Sequence, residues 1–288
     1  MRTLDSKIDF AVVLSVRSAN PNGDPLNGNR PRQNYDGYGE ISDVAIKRKI
    51  RNRLQDMGET IFVQSNDRKS DEYNSLRERA DASVELREVI KAKSSSQQED
   101  FAAAACREWM DVRSFGQVFA FKSSDKSGSV SVGVRGPVSI HTARSVDPID
   151  ITSMQITKSV NSEPGKDRGS DTMGMKHRVD FGVYVFYGSI NTQLAEKTGF
   201  TPEDADKIKQ ALVTLFENDA SAARPEGSME VHKVYWWTHN SKMGQYSSAK
   251  VHRSLVVKSK TEEPRQFEDY SIEIYELEGL RVDVIDGI

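Results

Sequence analysis

Ile8-Asp-Phe-Ala-Val-Val-Leu-Ser-Val16, followed directly by Arg17-Ser-Ala-Asn-Pro-Asn-Gly-Asp-Pro-Leu-Asn-Gly-Asn-Arg-Pro-Arg32, is the stretch on which the fold turns. The first nine residues form an apolar run bounded by polar residues, the pattern of a buried central strand. The next sixteen cannot continue it. Three prolines and two glycines forbid a regular element, four asparagines offer amide donors and acceptors, and Arg17, Arg30 and Arg32 carry fixed guanidinium forks. Such a loop suits phosphates and nucleotides.

Downstream, Ser42 is placed to cap a helix in which Ile46, Ile50, Leu54 and Met57 recur at helical spacing as far as Gly58. Lys47, Arg48, Lys49, Arg51 and Arg53 crowd the same helix, so like charges stand at i,i+4. A nucleic-acid backbone would compensate them, with the helix N-terminus adding free N–H groups; a solvated face balanced by Asp43, Asp56 and Glu59 is the alternative. Residues 64–100 read as a helical insertion containing a linker-like Ser94-Ser-Ser-Gln-Gln, and residues 101–110 as a short helix. Val118–Phe121 and Ser129–Val134 pair as strands before the glycine-containing loop Gly133-Val-Arg-Gly-Pro-Val.

Met154, Ile156, Lys158 and Val160 share one face of a strand, and Met173, Met175, His177, Val179 and Phe181 one face of the next. The segment between them is wholly polar, so the pair reads as a long hairpin with an apolar base and a protruding basic, methionine-rich end. Its methionines either wedge against bases or fill the sheet's core. Thr201-Pro-Glu-Asp opens a helix over residues 202–218, and strands follow at 231–238, 255–258, 271–277 and 280–285. Of Trp236 and Trp237, alternation puts one inward and one outward. Without its insertions the order is strand, helix, strand, strand, helix, strand, the split βαβ arrangement of ferredoxin-like and RNA-recognition domains. The fold class expected is therefore α+β.

Composition narrows the function. With 36% hydrophobic and 29% charged residues, 288 positions can bury a substantial core, and no apolar run is long enough to span a bilayer. No membrane partner and a cytoplasmic location are expected. One cysteine, Cys106, precludes an intrachain disulfide and fits a reducing compartment. The net charge of −3 hides an asymmetry: from Thr261 onward nine acids face two arginines, leaving +4 on residues 1–260. The acidic end is either a solvated surface or a face for a neighbour's basic residues.

Chemistry is sparse. His141, His177, His232, His239 and His252 show no metal-binding spacing, there is no Walker A or G-x-S-x-G motif, and neither cofactor nor metal is expected. Asp24, Asp147 and Asp150 sit where they could bind Mg²⁺ for strand cleavage, although Asp24-Pro25 and Asp147-Pro148 are also ordinary turn pairs. An aromatic stacking motif for RNA is missing, and Tyr35 and Tyr38 either stack on bases or anchor their loop. Binding without turnover is the reading these residues favour.

Asn20-Pro-Asn-Gly-Asp-Pro after the first strand, Asp111-Val-Arg-Ser-Phe-Gly before the second, Gly133-Val-Arg-Gly-Pro-Val, and Met154-Gln-Ile-Thr-Lys-Ser in the hairpin, in this order, closely resemble one family. It is the backbone subunit of the type I CRISPR interference complex Cascade, subtype I-C, the Cas-seven family. The resemblance implies a single domain with a modified RNA-recognition palm (1–59, 113–146 and 181–288), a helical fingers insertion (60–112) and a thumb hairpin (147–180). It implies a non-catalytic ribonucleoprotein subunit in antiviral defence, with copies stacked as a helical filament on the CRISPR RNA (crRNA). Target DNA, the Cas-five handle-binding subunit, the Cas-eight large subunit and a small subunit are the further partners implied. The guide then reads sequence while the protein holds phosphate and sugar. Carried onto this chain, Arg17, Asn20, Asn22, Arg30, Arg32, Ser42, Lys47, Arg51, Arg135, Gly136, Lys158, Lys176, His177 and Arg178 would bind RNA, and Met154, Met173 and Met175 would form the thumb wedge. The enzymatic alternative is a ribonuclease of the same palm family using a loop aspartate with Mg²⁺.

Overall fold

A computed structural model describes residues 2–92, 94–120, 131–157 and 173–288. In chain order the elements are β1 (Ile8–Ala19), β2 (Gly23–Asp24), β3 (Arg30–Pro31), β4 (Tyr38–Ile41), α1 (Asp43–Asp56), α2 (Leu76–Ala82), α3 (Val84–Ala92), α4 (Gln97–Glu108), α5 (Met110–Phe115), β5 (Gly116–Ala120), β6 (Ser131–Arg135), β7 (Val138–Ile140), β8 (Ala143–Pro148), β9 (Ile151–Thr157), β10 (Met173–Ile190), α6 (Thr192–Thr198), α7 (Pro202–Val213), β11 (Met229–Thr238), α8 (Ser248–His252), β12 (Leu255–Ser259), β13 (Tyr270–Ile274) and β14 (Val282–Asp286). The architecture is mixed α+β. One antiparallel sheet runs β14-β11-β1-β10-β8-β4, with β7 and β9 also paired to β10. Its centre, β11-β1-β10-β7, with α1 after β1 and α6–α7 after β10, has the connectivity of a split βαβ unit.

The first strand is central because both its faces are apolar. Phe10, Val12, Leu14 and Val16 meet Ile46, Ile50 and Leu54 of α1 and Ile208 and Leu212 of α7 in the main core. Each such side chain contributes about 1.5–3 kcal/mol on leaving water. Ala11 and Val13 point the other way, into a second core with Tyr235, Trp237, Val251, Leu255 and Tyr270. Trp236 and Trp237 are consequently both buried, at 2% exposure each. Alternation does place them on opposite faces, but α8 and the β12–β13 pair cover the face that would otherwise be solvent.

The insertion has its own core of Phe62, Leu86, Phe101, Trp109, Phe119 and Val132. Ser94-Ser-Ser-Gln-Gln is not a linker: Ser94 and Ser96 each donate to the Asp100 carboxylate at 2.8 Å, and Gln97 begins α4. Helix α7 opens on the expected Thr201 cap with Asp204 completing a capping box. It ends at Val213 and not at 218, because the Thr214 hydroxyl turns back onto the Gln210 carbonyl at 2.9 Å and Asn218 adopts φ 56°.

Asp9 lies fully buried in β1. Burial pushes its carboxyl up, but the hydrogen bonds from His239 and Ser248 and the Lys7 ammonium outweigh this and leave it below the usual carboxylate range. The His239 Nε2–H donates to it at 2.8 Å, since Nδ1 already accepts from the Gln245 backbone N–H at 2.9 Å.

Candidate nucleic-acid interface

The loop after β1 is held from within by its asparagines. Asn20 is 4% exposed, donates through Nδ2 to the Asn29 carbonyl at 2.7 Å, and is fixed by its own N–H on the Ala223 carbonyl. Asn22 Oδ1 accepts the Ser42 backbone N–H at 2.9 Å, joining the loop to the start of α1, where the Ser42 hydroxyl accepts the Ala45 N–H. These three residues, read from the sequence as RNA-facing, each hold loop or helix backbone here, Asn20 from a buried position and Asn22 and Ser42 from half-buried ones. Asp24 accepts the Leu26 N–H at 3.2 Å and lies 3.5 Å from the Arg32 guanidinium. Arg32 thus braces the turn, while Arg30 reaches outward across the gap to the hairpin.

The hairpin of β9 and β10 pairs Met173 with Thr157, Met175 with Gln155, Lys176 with Met154, His177 with Ser153 and Arg178 with Thr152. One face therefore carries Met173, Met175, His177, Ser153 and Gln155; the other carries Lys176, Arg178, Met154 and Ile156. Met173 and Met175 are about half exposed (51% and 55%), so they do not fill the core. Met154 does not join them, because strand register puts it beside Lys176. Lys158 lies outside the described residues. Arg178 and Thr152 both turn to Asp180, at 3.5 and 2.6 Å, and Lys176 is exposed without a polar partner among the described residues.

Loop and hairpin meet at Ser153. Arg30 Nη1 donates to Ser153 Oγ at 3.0 Å, and the same oxygen lies 2.8 Å from His177 Nδ1. Arg30 and His177, 147 positions apart in sequence, thus share one contact on the methionine-bearing face. Sequence reasoning missed Ser153 and Gln155; their alternation with Met154 on an exposed strand was the available signal. Beside the hairpin base, Arg17 stacks over Phe181 at 5.0 Å, and Tyr35 is fully exposed, presenting its ring and anchoring nothing. Tyr38 pairs with Pro148 at the sheet edge.

The cations of α1 belong mostly to the interior. Arg51 Nε donates to Asp111 at 2.9 Å and its guanidinium lies over Phe115. Asp111, wholly buried, also accepts the Phe62 and Val63 N–H groups at 2.7 and 3.1 Å. Lys49 pairs with Asp219, which Arg224 also contacts; Arg48 donates to the Val63 carbonyl, Arg53 to Thr214, and Lys47 to Asp43 at 3.0 Å. For Lys49 and Arg51 the compensation comes from carboxylates distant in sequence, while Lys47 pairs with Asp43 four positions away. Arg135 is exposed and unpartnered among the described residues. Gly136 is a packing glycine: a Cβ there would strike the Ser114 carbonyl and the Phe115 backbone, so packing alone accounts for its lack of a side chain.

The sheet surface that an RNA-recognition domain leaves open is the one buried here under α8 and β12–β13. The Arg30 loop and the hairpin are joined by the Arg30–Ser153 hydrogen bond. Among the described residues no group of three or more His, Cys, Asp or Glu is arranged to hold a metal ion. Asp147 Oδ1 accepts from the Ser259 hydroxyl at 3.0 Å, and its Oδ2 is buried without a partner among the described residues. No helix among the described residues is long and apolar enough to cross a membrane.

A family model described as CRISPR-associated protein Cas7 matches residues 6–275. A Haloferax volcanii protein described as CRISPR-associated protein Cas7 is 28% identical over 235 residues, covering 77% of this chain and 67% of that protein. Among solved structures, a chain of a CRISPR RNA-guided surveillance complex, pre-nicking, is 15% identical with a TM-score of 0.47, over 80% of this chain and 78% of that one. A chain of another CRISPR RNA-guided surveillance complex is 16% identical with a TM-score of 0.45, over 80% and 68%.

Proposed function

The chain belongs to the CRISPR-associated protein Cas7 family, and from that premise we propose that it is the crRNA-binding backbone of a type I-C interference complex. Copies polymerise along the guide and hold it for pairing with target DNA. The sheet with α1, α6 and α7 acts as palm, the α2–α5 insertion as fingers, and the β9–β10 hairpin as thumb. Partners on this reading are the guide, target DNA, further copies of the chain, and the Cas-five, Cas-eight and small subunits; the work is done in the cytoplasm and without catalysis by this subunit.

The observation that carries the reading is the Arg30–Ser153–His177 contact, which joins the Arg/Asn loop to the methionine-bearing hairpin face. A surface with one guanidinium, one imidazole, exposed thioethers and no base-reading array suits a ribose-phosphate backbone of any sequence. Asp24 accepts the Leu26 N–H within its turn, and Asp147 accepts the Ser259 hydroxyl.

Purified protein mixed with guide-length RNAs of increasing length tests this by electron microscopy and mass photometry. Copies per RNA should rise in steps with length, for unrelated sequences alike. A single copy whatever the length, or cleavage of complementary RNA with Mg²⁺ that is lost in Asp24→Ala, would refute it.

A further inference from the structure

We infer that Ser153 is a positioning residue of the interface: its hydroxyl aligns Arg30 and His177 toward the same stretch of RNA backbone. The inference rests on the proposed function and deepens it. Arginine only donates, so the 3.0 Å contact from Arg30 Nη1 makes Ser153 Oγ an acceptor and leaves the serine proton for another partner. In the proposed arrangement His177 Nδ1, 2.8 Å away, accepts that proton, with the ring proton on Nε2. Nε2 has no partner among the described residues, and four of the five N–H donors of Arg30 are likewise uncommitted.

The chain of bonds therefore ends in two sets of unused donors on neighbouring side chains, since both groups contact one oxygen. Donors so placed call for a ligand rich in acceptors, which describes phosphate and ribose oxygens. Each bond polarises the next, so Ser153 both fixes the Arg30 fork and selects the imidazole tautomer that donates outward. Lys176 and Arg178 stand on the opposite face and cannot substitute.

The test uses full-length protein assembled on guide-length RNA, comparing wild type with Ser153→Ala, Ser153→Thr, Arg30→Ala and the Arg30→Ala/Ser153→Ala double variant. Ser153→Ala should weaken RNA binding about tenfold, the value of one charge-assisted hydrogen bond, with an unchanged melting temperature. Ser153→Thr, which keeps the hydroxyl on a strand-favouring side chain, should stay within about twofold of wild type. The double variant should bind more weakly than Arg30→Ala by less than the full Ser153→Ala factor, the remainder being the loss of His177 alignment. In ¹⁵N-histidine spectra of the free protein, His177 should carry its proton on Nε2, and Ser153→Ala should convert it to a mixture of tautomers. Wild-type binding by Ser153→Ala, failure of threonine to rescue, or multiplicative losses in the double variant would overturn the positioning role and leave the proposed function standing. Wild type that fails to assemble on RNA overturns both.

Discussion

Replacing Asp111 with alanine should unfold the joint between α1 and the insertion, and the size of the effect follows from three bonds. The carboxylate is wholly buried and serves Arg51 Nε, Phe62 N–H and Val63 N–H at once. Its loss leaves a guanidinium at 12% exposure without a counter-charge and two backbone donors without acceptors. Breaking a buried pair from one side costs about 3–5 kcal/mol, and taking about 4 is conservative when two amides are stranded as well. At a slope of about 3 kcal/mol per molar urea, the unfolding midpoint followed by circular dichroism falls by about 1.3 M. Asp111→Asn, which keeps oxygen but not charge, should fall by about half as much. Arg51→Ala should cost about 2 kcal/mol, because Asp111 retains its two amides. A shift below about 0.3 M for Asp111→Ala would refute the account. So would Arg51→Ala that weakens RNA binding with the midpoint unmoved, since that would return Arg51 to the RNA path.

Burial brings the Lys49 ammonium down to about 8 from its ordinary 10.5, the attraction of Asp219 offsetting it only in part. Between those values the unfolded chain binds more protons than the folded one, so this group makes stability rise with pH from about 8 to 10.5, by about 3 kcal/mol at 1.36 per unit. The rise should be present in wild-type urea curves and missing from those of Lys49→Met across that range; equal slopes would show that Lys49 is solvated. Gly136→Ala should lower stability by about 2 kcal/mol or more through the clash with Ser114 and Phe115, read as a drop in melting temperature. Arg30→Ala with Lys176→Ala should reduce the slope of log affinity against log salt by about two for every RNA sequence. An unchanged slope would remove both from the phosphate path.

Local pattern carried much of the architecture. The apolar run of β1, the Ser42 cap and Ile46/Ile50/Leu54 stripe of α1, and the two alternating strands of the hairpin are each written within a dozen or so residues, at the scale where period and capping operate. What could not be read was set by long-range pairing. Arg51 finds Asp111 and Lys49 finds Asp219 across 60 and 170 positions, and nothing local distinguishes a paired cation from one awaiting a phosphate. Cross-strand register, invisible within either strand, separates Met154 from Met173 and Met175. Both tryptophans of β11 are buried because a C-terminal layer far along the chain covers the second face. The motifs around Asp111 and Gly136 mark a joint between the insertion and the sheet.

That joint has a geometric consequence for any assembly built by repetition. Gly136 packs its bare Cα against residues 114–116, and Gly116, at φ 80°, answers it from the other side. Two backbones in direct contact leave no side-chain rotamer to absorb a tilt, so the insertion is held to the sheet at nearly a single angle. In a stack of identical copies a small angular error repeats at every step, and its sum grows with the number of copies. If copies stack as proposed, a pair of glycines at the base of the insertion would set the tolerance on pitch, much as the fit of one hinge decides whether a long folding rule lies straight.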